Sequence, residues 1–143
     1  MTRHRTKALA PFGLMVALTA AACSDPATST ATTTPTTTQS TETFTGTVQV
    51  KSSAAHNFSV AAAGTVTVTL TVASPPDAVV MGVGIGTPTG ASCALLTGAS
   101  VKTAAGTAAQ LSGVVTPGAL CVQVYDVGSQ TSAVSYTITV VHP

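Results

Sequence analysis

Thr65-Val66-Thr67-Val68-Thr69-Leu70-Thr71-Val72 is the run that decides the fold of this chain. Threonine occupies every odd position, and Val66, Val68, Leu70 and Val72 occupy the even ones. A repeat of two residues belongs to a β-strand, where successive side chains point to opposite faces. One face can enter a core while the hydroxyl face meets water, as in an antiparallel sheet covered on one side. The β-branched side chains favour the same extended backbone.

The repeat recurs on either side of this run. Leu120-Cys121-Val122-Gln123-Val124-Tyr125 and Val134-Ser135-Tyr136-Thr137-Ile138-Thr139-Val140 carry it clearly. Weaker strands are predicted at Phe44–Val50, Asn57–Val60, Val79–Ile85, Cys93–Leu96 and Ala108–Leu111. Turn-forming residues separate them: Ala63-Gly64, Ser74-Pro75-Pro76-Asp77, Thr89-Gly90, Thr116-Pro117-Gly118 and Gly128-Ser129. Nothing after Phe44 shows the roughly 3.6-residue period of an amphipathic helix. About eight short strands at this spacing predict an all-β domain over residues 44–143. A single sheet could not cover its own apolar rows, so the expected architecture is an antiparallel, jelly-roll-like β-sandwich.

The N-terminal third does not read as part of that domain. Arg3, Arg5 and Lys7 precede the apolar stretch from Ala8 to Ala22, which is too short to span a bilayer. A basic start, an apolar middle and the small residues Ala20-Ala21-Ala22 make residues 1–22 an export signal. Ala20-Ala21-Ala22-Cys23 resembles the lipobox of bacterial lipoproteins, with Ala20 where leucine is commonest. The resemblance implies a diacylglyceryl group on the Cys23 sulfur and cleavage before it. The mature protein would then be anchored to a membrane by lipid without spanning it. The alternative is an ordinary signal peptide cut near Ala22, with Cys23 incidental. Residues 23–43 are mostly Thr, Ser and Ala with Pro26 and Pro35, offering too little apolar surface to offset the entropy of ordering. They are expected to form a disordered tether with a reach on the order of 25 Å. The domain is therefore expected outside the cytoplasm, in the periplasm or at the cell surface, held on the cell membrane or the outer membrane.

Two segments of the domain carry a family resemblance. His56-Asn57-Phe58-Ser59-Val60 followed by Gly64-Thr65-Val66-Thr67-Val68-Thr69-Leu70 is similar to the early strands of bacterial pre-peptidase C-terminal domains. Pro117-Gly118-Ala119-Leu120-Cys121-Val122-Gln123-Val124-Tyr125 and Tyr136-Thr137-Ile138-Thr139-Val140 resemble that family's closing pair of strands. Leu120 and Cys121 stand where the family usually has two aromatic residues. The resemblance implies a jelly-roll-like sandwich and an accessory, non-catalytic role, and it implies no substrate.

Charge and residue inventory narrow the function further. The precursor carries a formal charge of +1, but the signal would take Arg3, Arg5 and Lys7 with it. Lys51 and Lys102 then face Asp25, Glu42, Asp77 and Asp126, a balance of −2. No basic patch is left to neutralise phosphates, which argues against nucleic-acid binding. Gly-x-Ser-x-Gly does not occur, and the mature histidines are His56, entering a strand, and His142, at the C-terminus. A triad of His56 with Asp77 or Asp126 stays open on sequence, but the expectation is no enzyme, with both histidines ordinary surface or strand-end residues. Gly82-Val83-Gly84-Ile85-Gly86 lacks the third glycine of a dinucleotide fingerprint, having Thr87 there, and no helix follows. It reads instead as a strand with one bare face, suited to close backbone approach or a bend.

Calcium would need several carboxylates, and the domain offers Asp77 and Asp126, far apart. Zinc would need clustered ligands, and Cys93, Cys121, His56 and His142 are not so spaced. No metal or other cofactor is expected. Phe44, Phe58, Tyr125 and Tyr136 are the mature aromatics, and no Trp occurs. At strand positions they read more readily as sheet packing than as platforms for sugars. The ligand is unknown from sequence. The expected partners are the membrane, through the lipid, and either another exported protein or an envelope glycan.

With Cys23 occupied by lipid, Cys93 and Cys121 remain as an even pair in an oxidising compartment, and a disulfide between them is expected. The alternative is two buried free thiols serving as small hydrophobes.

The alternation itself is testable. Val68→Asp would bury an unpaired carboxylate and should cost several kcal/mol, whereas Thr67→Asp on the hydroxyl face should be nearly neutral. Urea unfolding of the two variants reads the difference, and equal losses would contradict the two-residue period.

Overall fold

The computed structural model describes residues 38–143. The export signal, Cys23 and the tether up to residue 37 lie outside the described residues. Eight strands run through the described residues, and no helix does. They are β1 (Ser40–Val48), β2 (Ser53–Val60), β3 (Gly64–Ser74) and β4 (Met81–Thr89), then β5 (Ser92–Thr103), β6 (Leu111–Val115), β7 (Gly118–Asp126) and β8 (Val134–His142).

Every pairing is antiparallel. The first sheet has the order β1-β8-β3-β6 and the second β2-β7-β4-β5. β1 pairs with β8, β2 with β7, β3 with β6 and β4 with β5. The described residues thus form one long hairpin, with its tip at Gly90, rolled until the β3–β8 and β4–β7 pairings close two four-stranded sheets. This is jelly-roll connectivity.

The inner faces are the alternate apolar rows. Val66, Val68 and Leu70 of β3 and Val134, Tyr136, Ile138 and Val140 of β8 are buried. They pack with Met81, Val83 and Ile85 of β4 and Leu120, Val122 and Val124 of β7 in one cluster. Fully burying a valine, leucine or isoleucine contributes about 1.5–3 kcal/mol each. On the outer face of the first sheet the hydroxyls align instead, with Thr43, Thr139 and Thr69 side by side across β1, β8 and β3.

Several boundaries differ from those expected. β1 starts at Ser40, so Ser40–Thr43 belong to a strand paired with His142–Thr139 and not to a tether. Their polarity hid them, because an edge strand needs only one apolar face and the inward face of this one begins with the partly exposed Glu42. Val72, expected inside, is 46% exposed. A β-bulge between Leu70 and Val72 inserts Thr71, whose hydroxyl donates to the Thr137 carbonyl at 3.1 Å. The extra residue reverses the phase, so Ala73 turns inward in place of Val72.

β5 is far longer than Cys93–Leu96. Its second half, rich in small residues, resumes pairing with β4 after an irregularity where the ladder steps from Gly86–Leu95 to Gly84–Ser100, with Gly98 at φ +76° between. β6 starts at Leu111, where the expected strand ended. Ahead of it the Gln110 side chain stands in for a strand: Leu70 N–H donates to Gln110 Oε1 at 2.7 Å, and Gln110 Nε2 donates to the Leu70 carbonyl at 3.3 Å. The Leu70 carbonyl also accepts the Gly106 N–H at 2.8 Å, so the side-chain amide and one loop N–H together supply what a longer β6 would have paired.

Cys93 and Cys121 are joined, with Cα atoms 5.8 Å apart and a sequence separation of 28. The bond lies on the outer face of the second sheet, since Cys121 alternates with the inward Leu120 and Val122. Beneath it is Gly86, the β4 partner of Cys121, where a side chain would run into Cys93 and the Ala94 carbonyl. The bare face of β4 is what lets the β4–β5 hairpin fold close enough for the bond.

Closing a loop of this size stabilises the domain by about 3–4 kcal/mol in the chain-entropy model. Lys102 lies between the two cysteines, so trypsin should release Ser52–Lys102 and Thr103–Pro143 as one joined species without reductant. Mass spectrometry should find them separate after dithiothreitol, and free alkylatable thiols in the unreduced protein would contradict the bond.

Candidate functional site

Most of the ionisable and aromatic residues, Asp77 and Lys102 apart, gather in two places. The first is the seam between the edge strands β1 and β2. Phe44 of β1 stacks on His56 of β2, with ring centroids 4.8 Å apart and nearly parallel at 10°. His56 Nε2 shares a 2.6 Å hydrogen bond with Tyr136 Oη from β8. Burial lowers the His56 pKa from its ordinary 6.5, and burial raises that of Tyr136. Both rings are therefore held neutral by the same loss of water.

At the end of the seam, His142 is 4% exposed. Its Nε2 lies 2.9 Å from Glu42 Oε1 and its Nδ1 3.1 Å from the Pro143 main-chain oxygen. His142 is the strand-end residue expected from sequence, closing β8, but it is buried, whereas His56 is neither at the surface nor at a strand end. His56 sits in mid-strand facing the opposite sheet. The chain end is tied down: Ala61 N–H donates to the Pro143 oxygen at 3.3 Å, and Pro143 covers the bare Gly64.

The second place is an open groove of about 690 Å³ on the outer face of the second sheet, lined by Lys51, Ser53, Leu95, Gln123, Tyr125 and Asp126 among others. Asp126, at the end of β7, organises its upper rim. Its Oδ2 accepts the Lys51 backbone N–H at 2.8 Å. Its Oδ1 accepts those of Gly128, Ser129 and Gln130 at 2.7, 3.1 and 3.3 Å. The Lys51 amide first, and the Gly128, Gln130 and Ser129 amides with it, hold the carboxyl below the usual range, against desolvation pulling the other way. Lys51 has φ +59°, left-handed backbone that its bond to Asp126 stabilises. The carboxylate thus joins the β1–β2 and β7–β8 turns.

Two side chains of the groove lining, Tyr125 and Leu95, rest on the glycine face of β4. Tyr125 pairs with Gly82, and its ring occupies the space a Gly82 side chain would need. Leu95 lies likewise over Gly84. Beside them Gln123 Nε2 donates to Ser53 Oγ at 2.9 Å.

The structure does not bring the residues of the open triad together. His56 meets Tyr136, Asp126 meets four backbone amides, and Asp77 Oδ1 accepts the Ser74 hydroxyl at 3.1 Å. Among the described residues no three of His, Cys, Asp or Glu cluster as metal ligands. Sequence reasoning missed the Glu42–His142 pair, whose partners are a hundred residues apart, and the half-buried station of Tyr125 on the outer face. The one sequence signal for the latter was the Gly82-Val83-Gly84-Ile85-Gly86 stripe, which announced a close neighbour without naming it. No protein-family model matches the chain, and no curated protein matches it.

The seam predicts a pH dependence. Because the folded protein lowers the His56 pKa, the unfolded chain takes up the proton first as pH falls. Stability present above about pH 6.5 should then be lost as acid reaches the folded value. Urea midpoints measured from neutral pH downward should fall less steeply for His56→Gln, which cannot take up the proton. An unchanged slope would show that His56 does not contribute.

Proposed function

We propose that this protein is a non-catalytic envelope lipoprotein, anchored through Cys23, whose β-sandwich acts as an accessory interaction module. The observation that carries the reading is the use to which the domain puts its ionisable groups. His56 is bonded to Tyr136, His142 to Glu42, Asp77 to Ser74 and Asp126 to the backbone of two turns. Each histidine and carboxylate among the described residues, the groups that acid–base chemistry most often recruits, has a structural partner. What remains outside is a surface of threonine, serine and valine, suited to contact rather than reaction.

The basic start, apolar middle and Ala20-Ala21-Ala22-Cys23 of the N-terminus support export and lipid attachment. The rolled hairpin of eight strands is the scaffold that a domain of the pre-peptidase C-terminal kind would have, and it supports the accessory role on that analogy.

Acylation needs the Cys23 sulfur. Cys23→Ser should therefore abolish fatty-acid labelling and move the protein out of the membrane fraction. A wild type that takes no label, together with a mutant that stays membrane-bound, would overturn the anchor.

A further inference from the structure

The geometry points to the groove over the glycine face of β4 as a binding site for a neutral saccharide, with the Tyr125 ring as its platform. This inference rests on the reading of the domain as a non-catalytic binding module and names its ligand class.

Tyr125 stands apart from the other mature aromatics. Phe44 stacks in the seam between the sheets, and Phe58 and Tyr136 are buried there. Tyr125 lies on the outer face of the second sheet, half-buried, in the wall of a groove of about 690 Å³, within the size range of small-molecule sites. Gly82 lets the ring settle onto the sheet backbone, since any side chain there would displace it. A ring seated that way loses little further freedom on binding and offers its apolar surface to a ligand. Sugar rings present a face of C–H groups that packs on such a surface, with hydroxyls at the edge that need polar partners.

Those partners are at hand. Gln123 Nε2 donates to Ser53 Oγ, which fixes the amide and leaves its carbonyl oxygen as an acceptor and the serine hydroxyl as a donor. Leu95, seated over Gly84, extends the apolar floor. Lys51 and Asp126 both line the groove, so their charges offset and a neutral ligand suits the site better than an anion. The four amides on Asp126 hold the rim in one shape, so the site is largely formed before the ligand arrives.

The chain has two tyrosines, which supplies an internal control. In the full chain, purified in detergent and carrying ¹³C-labelled tyrosine, titration with tri-N-acetylglucosamine or maltotriose should shift the Tyr125 ring resonances saturably and leave Tyr136 unmoved. Trigalacturonic acid should bind more weakly. Tyr125→Phe should keep the binding, because the platform is the ring. Gln123→Ala, which leaves Tyr125 on Gly82 and Leu95 on Gly84, should weaken it about tenfold, the loss of one well-placed polar contact. If neither neutral sugar shifts Tyr125 at millimolar concentration, or if Tyr136 shifts equally, the saccharide site is overturned. Tighter binding of the acidic trimer would overturn its neutral preference. Fatty-acid labelling of the same preparation tests the anchor separately, so a labelled protein whose Tyr125 ignores every sugar removes this site and leaves the anchored module standing.

Discussion

Two facing apolar rows must leave water together, and the sandwich follows from that constraint. Val66, Val68 and Leu70 of β3 have no inward neighbours until the strands of the second sheet are laid over them. Neither sheet can hide its own inner face. The rolled hairpin meets this need with strands that pair locally at its tip, β4 with β5, and at long range at its ends, β1 with β8. The outermost pairing brings Glu42 and His142 together, and the structure is finished there by a side-chain pair and not by more apolar surface. A domain of this size has little core to spare.

The second sheet solves a different problem with β4. Met81, Val83 and Ile85 enter the core, while Gly82, Gly84 and Gly86 turn a bare face outward. Glycine weakens a strand because it loses more freedom on folding and has nothing to pack. Here neighbours supply what the strand lacks: Tyr125 over Gly82, Leu95 over Gly84 and the Cys93–Cys121 bond over Gly86. The same economy of side chains draws the hairpin tip inward for the disulfide and leaves a tyrosine ring resting on backbone at the surface. A stabilising device and a candidate binding surface therefore share one stripe of three glycines.

Polar groups follow a consistent logic. Where backbone would go unpaired, a side chain takes the place of a strand: Gln110 beside Leu70, Asp126 beneath the turns at Lys51 and Gly128. Where titratable rings enter the seam, each is given a specific partner, which the low dielectric there makes necessary. The result is a domain with few charges in which the carboxylates and imidazoles have fixed structural duties.

The two-residue period from Thr65 to Leu70, and its echoes at Leu120–Tyr125 and Val134–Val140, determined by themselves that the domain is a two-sheet antiparallel structure, because alternation is a local property written one residue at a time. Cysteine count and the logic of export likewise made the Cys93–Cys121 pair legible. Residues whose state depends on a distant neighbour were not. Thr71 bulges because it meets the Thr137 carbonyl, Val72 turns outward as a consequence, and Ser40–Thr43 become a strand because β8 offers them an edge. Of four aromatics equivalent in the sequence, three went between the sheets and Tyr125 stayed outside. His56, His142 and Asp126 received their roles only when the roll brought together residues far apart along the chain. Hydrophobic pattern fixes which face of a strand is inside, but only tertiary pairing decides what each polar or aromatic side chain will meet there, since that depends on which strands become neighbours.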